Sequence, residues 1–448
     1  MAEPRAVAFR VLLKIEEDGA YSNLALSHAI RENKLGGVDS AFVSALVYGV
    51  LERTITLDEI IRQHSKIPLR KIETETKIIL RMGIFQLLYM DKVPAFSAVN
   101  ESVKLAKRYK LNRSAGFING VLRGITRDGQ PLRLPDERDA LRYFSIKYAV
   151  PQSLVGLWLS AYGRENTERL LLSLSGRPKL YIRVNTLKTD RAALTAALAQ
   201  EGVSCEEVPL LPDALSLSGT GDVEQLKAFR AGLFHVQDLS SQLCVHFLSP
   251  QPREVMHDVC AAPGGKSFTA AQLMRDRGRI YACDLFDHKL KLIRDGACRL
   301  GIRSIVTQKR DAASGMPLPL ADRILCDVPC SGLGVLSRKP EIRAKSDLIP
   351  QDLPELQYRI LCRSAERLAF GGTLVYSTCT LNPAENGENV RRFLAEHADF
   401  RGVPLPLPEG VTRAFDEPAH ELTLMPHTAG TDGFFIALLR RSAGGQDH

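Results

Sequence analysis

The residues best able to do chemistry fall in two short segments, Asp327-Val-Pro-Cys330-Ser-Gly and Ser377-Thr-Cys379-Thr. Each follows or ends an apolar stretch that reads as a β-strand, Arg323–Cys326 and Thr373–Ser377. Adjacent strand ends would thus aim one carboxylate and two thiols into one cleft. A thiolate is a strong nucleophile towards electron-poor carbon. Added to carbon 6 of cytosine, it makes carbon 5, ordinarily a poor nucleophile, enamine-like and able to attack an electrophilic methyl group. An acidic residue beside N3 stabilises that adduct by holding a proton there. A base then removes the C5 proton and the thiol leaves by elimination. One cysteine must attack and the second can help release, but the two segments alone do not rank them. Methylation of an amino group needs no thiol. Its usual strand-end motif, Asn/Asp-Pro-Pro-Tyr/Phe, would put an aromatic ring where Cys330 stands.

The methyl donor has its own signature. In an open α/β sheet, ligands bind beyond the carboxyl ends of the strands. Asp258, Asp284, Asp311 and Asp327 fall at or just after four such ends. The first of these strands runs into Asp258-Val-Cys-Ala-Ala-Pro-Gly-Gly-Lys-Ser267. Gly264 and Gly265 permit a tight turn and close approach of a ligand to the backbone. The segment is neither a dinucleotide GxGxxG nor a Walker A loop, so a phosphate is not its obvious tenant. A helix N-terminus beginning near Lys266 can meet a carboxylate. S-adenosylmethionine fits: its carboxylate at the glycine turn and Lys266, its ribose at Asp284, its adenine at Asp311.

These residues need a scaffold, and the chain changes character along its length. Residues 1–145 read as helical. Val7, Val11, Leu12 and Ile15 recur at helical spacing, as do apolar residues in Ala41–Leu51, Ile78–Tyr89, Ala98–Tyr109 and Ala115–Ile125. Nothing there alternates as strands do, so an all-α domain is expected. Residues 146–235 read as a small α/β module. Its strands are Lys179–Val184, Val203–Val208 and Ala214–Ser218. Its helices are Arg191–Gln200, with Asp190 at the N-cap, and Asp222–Phe229.

From 236 to 448 strands and helices alternate. The strands are Glu254–Val259, Arg279–Cys283, Ile305–Gln308, Arg323–Cys326 and Thr373–Ser377. The helices are Ser267–Arg275, Lys289–Leu300, Pro354–Ala369 and Glu385–Glu396. That alternation predicts a parallel sheet with helices on both faces. Glu421–Pro426 and Gly433–Leu439 read as a closing hairpin, and Ser442–His448 as a mobile polar tail.

Composition sets the class. The chain has 448 residues, 45% hydrophobic and 25% charged, as in ordinary globular proteins of several domains. Its apolar runs are far shorter than a bilayer span and no signal peptide is evident, so a cytoplasmic protein without membrane partners is expected. The 9 cysteines are scattered and never at zinc-finger spacing, which predicts no metal site. For the others, a small buried hydrophobe is the plainer role. The net charge is +8, and residues 1–150 hold 24 Lys+Arg against 17 Asp+Glu, a difference of +7. Lys104, Lys107, Arg108, Lys110, Arg113, Arg123 and Arg127 follow one another with no acidic residue between. Such a run attracts phosphates, though a merely solvated helix face is the plainer alternative.

With these residues in view, the chain resembles the Sun-type RNA m5C methyltransferase family, nearest its bacterial 16S rRNA (cytosine-C5) branch. The resemblance rests on DVCAAPGGKS (258–267), ACD (282–284), RDAAS (310–314), DVPCSGLGVLSRKPEIR (327–343), YSTCTLNPAENGENV (376–390) and GTDGFF (430–435). FHVQDLSSQL (234–243) and RVNTLK (183–188) match the family's entry segment and small module. DSAFVSALVYGVLER (39–53), VPAFSAVNESVKLAKRY (93–109) and AGFINGVLR (115–123) resemble the NusB-type helical RNA-binding fold. The resemblance implies a NusB-like N-terminal domain, a small RRM-like module and a Rossmann-like class I methyltransferase domain.

It also implies roles. Cys379 attacks carbon 6, Cys330 assists release, and Asp327 contacts N3 and lies near the methyl donor. Cys260, Ala261, Ala262, Pro263, Gly264, Gly265 and Lys266 form the cofactor loop, with Asp284 at the ribose and Asp311 at the adenine. Lys104, Lys107, Arg108, Lys110, Arg113 and Arg123 become RNA contacts. The implied substrate is protein-free 16S rRNA, at the cytosine the family numbers 967, met by a monomer. Ala384 and Gly387 depart from the acidic residues common after the Asn-Pro turn, past the nucleophile. A different rRNA or tRNA cytosine is one rival. A non-catalytic RNA-binding or antitermination factor is another, disfavoured because both cysteines and the glycine turn are present. The paired thiols and helical domain disfavour an amino-group or DNA methyltransferase.

Overall fold

The structure, a computed structural model, describes residues 3–20, 22–175, 179–315, 317–338 and 351–443. The end of the 327–343 segment and most of the expected polar tail lie outside the described residues. The described chain forms two compact units, the first holding residues up to Ser175 and also Leu336–Arg338, the second the rest.

The first unit is helical, as the periodicity of residues 1–145 predicts, but its helices run on past 145 to Ser173. It contains α1 (Pro4–Asp18), α2 (Ser22–Glu32), α3 (Gly37–Glu52), α4 (Thr54–His64), α5 (Thr74–Tyr89), α6 (Ala95–Arg108), α7 (Asn112–Arg127), α8 (Ala140–Tyr148) and α9 (Gln152–Ser173). Phe9, Leu46, Leu57, Ile60 and Ile78 lie at its fully buried centre. The last two basic helices show why this sequence folds so. In α7, Ala115, Ile118, Leu122 and Ile125 are buried one turn apart. Arg113, Arg123 and Arg127 are exposed on the other side. No single helix among the described residues is long and apolar enough to cross a membrane.

The second unit begins with β1 (Leu180–Val184), α10 (Arg191–Gln200), β2 (Ser204–Glu207), β3 (Ala214–Ser218), α11 (Lys227–Arg230) and β4 (Phe234–Val236). The sheet order is β2-β3-β1-β4, all antiparallel, which with this element order is the ferredoxin-like arrangement. Asp190 caps α10 by accepting from the Ala193 N–H, as expected. The segment 222–229 is not one helix. Leu226 is extended and separates a 3-10 turn from α11.

The larger sheet follows through α12 (Leu239–Leu248), β5 (Val255–Asp258), α13 (Gly265–Leu273), β6 (Arg279–Asp284), α14 (Asp287–Leu300), β7 (Ile305–Lys309), β8 (Ala321–Asp327), α15 (Leu353–Ala365), β9 (Leu368–Thr378), α16 (Gly387–Glu396), β10 (Phe400–Gly402), β11 (Glu421–Leu424), α17 (Pro426–Ala429) and β12 (Phe434–Arg441). The strand order is β10-β12-β9-β8-β5-β6-β7, and β5 to β9 are parallel. From β5 the chain builds outward through β6 and β7, then returns to β8 on the other side of β5. That reversal opens a crevice beyond the carboxyl ends of β5 and β8. The closing hairpin is present: β11 pairs with β12, and β12 runs antiparallel beside β9.

The small module is pinned to this sheet by the RVNTLK segment. Arg183 binds Asp213 and Gln272, and Asn185 Nδ2 donates to the carbonyls of Gly232 and Leu300. Lys188 Nζ donates to the carbonyls of Ala231 and Arg299. A cation at the last carbonyls of α14 is favourably placed against the helix dipole.

Candidate active site

Strand register brings the reactive residues together. Asp327 ends β8 directly opposite Ser377 of β9. Asp327 Oδ1 accepts from Ser377 Oγ at 2.8 Å, and Oδ2 from Lys266 Nζ at 2.8 Å. Two lone-pair directions of this carboxylate stay open to a further donor. Burial works against the Lys266 ammonium, but Asp327 and the nearby thiols more than offset it and hold Lys266 charged well above its ordinary range. Its ammonium also lies 5.2 Å from the centre of the Phe434 ring.

Just beyond the paired strand ends, Cys330 Sγ and Cys379 Sγ stand 3.1 Å apart as reduced thiols, not joined in a disulfide. The contact with Cys379, followed by burial, pushes the Cys330 thiol well above its usual range. The other thiols near the sheet behave as small hydrophobes. Burial, ahead of the nearby charges, lifts Cys244, Cys283 and Cys326 to about 12. The backbone around the pair is held by a close approach. The Gly334 N–H donates to the Cys379 carbonyl at 3.0 Å, and the Gly433 N–H donates to the Gly334 carbonyl at 2.9 Å. A Cβ on Gly334 would sit 1.9 Å from the Gly433 carbonyl oxygen, so the two glycine motifs can meet only without side chains.

A cavity of about 180 Å³ opens at the reversal point, with Asp327 in its wall. Cys260, Ala261, Ala262, Pro263, Gly265, Lys266 and Asp327 line it, together with Asp258, Gln237, Asp238 and Ser241. Gly264 makes the turn into α13 at φ +112°, and a Cβ there would strike the Phe268 ring at 2.4 Å. Asp258 is buried; Oδ2 accepts from Ser267 Oγ at 2.6 Å, whereas Oδ1 has no partner among the described residues. Burial raises its carboxyl to about 7. Gln237 accepts from Thr269 Oγ1 at 2.6 Å and leaves its buried Nε2 unpaired. An unsatisfied acceptor and an unsatisfied donor in one cavity wall suit a ligand carrying both an ammonium and a carboxylate. The methionine end of S-adenosylmethionine is such a group.

Asp284 and Asp311 stand apart from these walls. Asp284 is buried at the end of β6, accepts from the Phe286 N–H, and faces Lys289 Nζ at 3.8 Å. Asp311 is exposed and caps the 3-10 turn Ala312–Ser314 through the Ala313 N–H. Among the described residues, no group of three or more His, Cys, Asp or Glu is arranged to hold a metal ion.

Comparison with known proteins agrees with this geometry. Residues 245–440 match the model of the 16S rRNA methyltransferase RsmB/F family, residues 2–127 the NusB family, and residues 150–224 the ferredoxin-like domain of RsmF/B-like methyltransferases. A probable ribosomal RNA small subunit methyltransferase B from Synechocystis sp. is 39% identical, covering 99% of this chain and 100% of its own. The chain belongs to the RsmB/F family of 16S rRNA methyltransferases. It is therefore an S-adenosylmethionine-dependent enzyme with a NusB-like domain, a ferredoxin-like module and a Rossmann-like catalytic domain. The solved structure of PH0851 is 25% identical and covers 98% of this chain and 99% of its own, with a TM-score of 0.81. That of NSun6 from Pyrococcus horikoshii with SFG, an S-adenosylmethionine analogue, covers 65% of this chain and 98% of its own at 25% identity, TM-score 0.59.

The basic run divides once placed on this family fold. All six predicted RNA contacts are exposed on α6, α7 and the turn between them. Lys104 pairs with Glu101 at 2.7 Å and Arg108 with Glu3 at 2.8 Å. Lys107, Lys110, Arg113, Arg123 and Arg127 form no ion pair among the described residues. Sequence reasoning missed the cavity residues Gln237, Asp238 and Ser241. The signal was present: Asp238 is an N-cap, accepting from the Ser240 N–H, ahead of an apolar helix.

Proposed function

We propose that the chain methylates carbon 5 of a specific cytosine in 16S rRNA, the 967 type, through a covalent adduct between Cys379 and carbon 6. The pair of thiols 3.1 Å apart beside Asp327 carries this reading. When bound, S-adenosylmethionine supplies an electrophilic methyl on sulfonium sulfur. Asp258, Gln237 and the Cys260–Lys266 loop would hold its amino-acid end, with Asp284 and Asp311 assigned to ribose and adenine.

Cys379 adds to carbon 6 as a thiolate. Cys330 Sγ lies within hydrogen-bond reach of Cys379 Sγ, so a proton on Cys330 can support a thiolate on its neighbour. Asp327, already fixed by Lys266 and Ser377, has lone pairs left to accept from a protonated N3. After carbon 5 takes the methyl, a base removes its proton, the C–H electron pair restores the carbon 5–carbon 6 double bond, and the Cys379–carbon 6 bond breaks to release the thiolate, with Cys330 assisting. The base must reach the crevice unstacked. The basic face of α6 and α7 would hold flanking phosphates. Such a substrate places the enzyme in the cytoplasm.

The test is methyl transfer from labelled S-adenosylmethionine to protein-free 16S rRNA and, separately, to tRNA, with digestion to nucleosides. The expected product is 5-methylcytidine at one position of 16S rRNA only. Label in tRNA alone would overturn the substrate, and label on an exocyclic amino group would overturn the chemistry.

A further inference from the structure

The loop after β9 carries a carboxylate that the methyl transfer itself does not use. Glu385 is wholly buried. Its Oε1 accepts from Ser331 Oγ at 2.5 Å and Asn382 Nδ2 at 3.0 Å. Its Oε2 accepts from the Ser331 N–H at 2.9 Å and Gln357 Nε2 at 2.8 Å. Four donors fill the lone-pair directions of one ionised carboxylate. Because Ser331 gives its hydroxyl hydrogen to Glu385, Thr380 Oγ1 is the donor in the 2.7 Å contact between the two hydroxyls.

The donors come from both thiol-bearing loops. Ser331 directly follows Cys330, whereas Thr380 and Asn382 share the loop of Cys379. Gln357, on α15, also donates to the carbonyl of Pro329, the residue before Cys330. From β9, Tyr376 OH donates to the backbone carbonyl of Glu385 at 2.6 Å. One carboxylate therefore ties the residue after Cys330 to the loop of Cys379, with a helix and a strand bracing the knot.

We infer that Glu385 is a positioning residue whose buried carboxylate sets the spacing of Cys330 and Cys379. This rests on the roles proposed above for the two thiols. A neutral isostere cannot replace it. Whichever way a glutamine amide turns, its NH2 faces either the Ser331 hydroxyl and Asn382 NH2 or the Ser331 N–H and Gln357 NH2. In the second orientation two donors oppose it; in the first the Ser331 hydroxyl can turn to accept and donate to Thr380, but the Asn382 NH2 still opposes it, so in either case a donor meets a donor in a buried space.

The test compares wild type, Glu385→Gln, Ser331→Ala and Cys379→Ala in the full chain. It reads steady-state kinetics, the thermal unfolding midpoint, and the rate at which diamide closes a Cys330–Cys379 disulfide. Diamide takes up the two electrons and two protons that the thiols lose, and mass spectrometry detects the linked peptides. For Glu385→Gln, kcat should fall about tenfold to a hundredfold, as misplaced reactive groups do. KM for S-adenosylmethionine should stay within about threefold. Disulfide closure should slow by about tenfold or more. Ser331→Ala, which removes one donor and keeps the carboxylate, should shift kcat and closure in the same direction by less. It decides the matter if Glu385→Gln does not fold. Wild-type closure rates in either folded variant overturn the inference, as does a kcat loss in step with lost unfolding midpoint. Full activity in Cys379→Ala overturns the nucleophile instead, and leaves the closure comparison standing.

Discussion

At the scale of single residues, the cavity wall makes a pH prediction. Asp258 titrates near 7 because it is buried, well above the usual carboxylate range. A carboxyl raised on folding favours the folded state most at low pH, and that contribution is lost as pH rises from about 4 through 7. If the ionised form meets the cofactor's ammonium through its unpaired Oδ1, S-adenosylmethionine should bind more tightly as pH rises through 7. Calorimetry should show the dissociation constant falling severalfold between pH 6 and 8, and Asp258→Asn should flatten the curve. A flat wild-type curve would remove Asp258 from the cofactor site. Lys266→Met should be costlier. It leaves Asp327 half-buried without its cation, and loss of about tenfold or more in kcat/KM is expected, because removing one member of a buried pair strands the other.

At the scale of elements, the predictions concern what pins one piece to another. Arg183→Met removes a buried guanidinium from Asp213 and Gln272. It should cost about 2 kcal/mol in urea unfolding, the charge-assisted hydrogen bonds of a buried guanidinium being lost while Asp213 keeps part of its solvent. A loss under about 1 kcal/mol would show that RVNTLK does not hold the small module. The main parallel strands were legible because buried apolar runs between glycine and proline signals leave few alternatives. So were the thiol segments and glycine turn, whose residue types have little other reason to occur together. Several elements, α9 and α17 among them, were not. Every residue of α12 but Ser241 and His246 is buried, so it has no polar stripe to show a helical period. β4 and β10 are three residues long and exist through their partners β1 and β12. The helix beginning near Pro354 also ends sooner than its pattern implied, since Leu368 already pairs with Ala321 of β8. Glu385 escaped for a related reason: its donors lie up to 54 positions away in sequence.

At the scale of the whole molecule, charge is the informative quantity. The excess of +7 in residues 1–150 accounts for nearly all of the net +8. Exposed ion pairs such as Lys104–Glu101 are weak and exchange readily with phosphates. Reversing Lys107, Lys110 and Arg113 to Glu should therefore raise KM for rRNA by about tenfold or more at physiological salt, and flatten the salt dependence of binding. Cofactor binding and kcat at saturating RNA should be unchanged. If filter binding shows equal rRNA affinity for the variant, the α6–α7 face is only a solvated helix surface.

The central claim is that Cys379 attacks and Cys330 releases. Incubating Cys379→Ala and Cys330→Ala with rRNA and S-adenosylmethionine, then separating under denaturing conditions, tests it most directly. Cys330→Ala should accumulate a methylated RNA covalently joined to protein at Cys379, while Cys379→Ala gives neither adduct nor 5-methylcytidine. An adduct in Cys379→Ala, or undiminished turnover by it, would contradict the account.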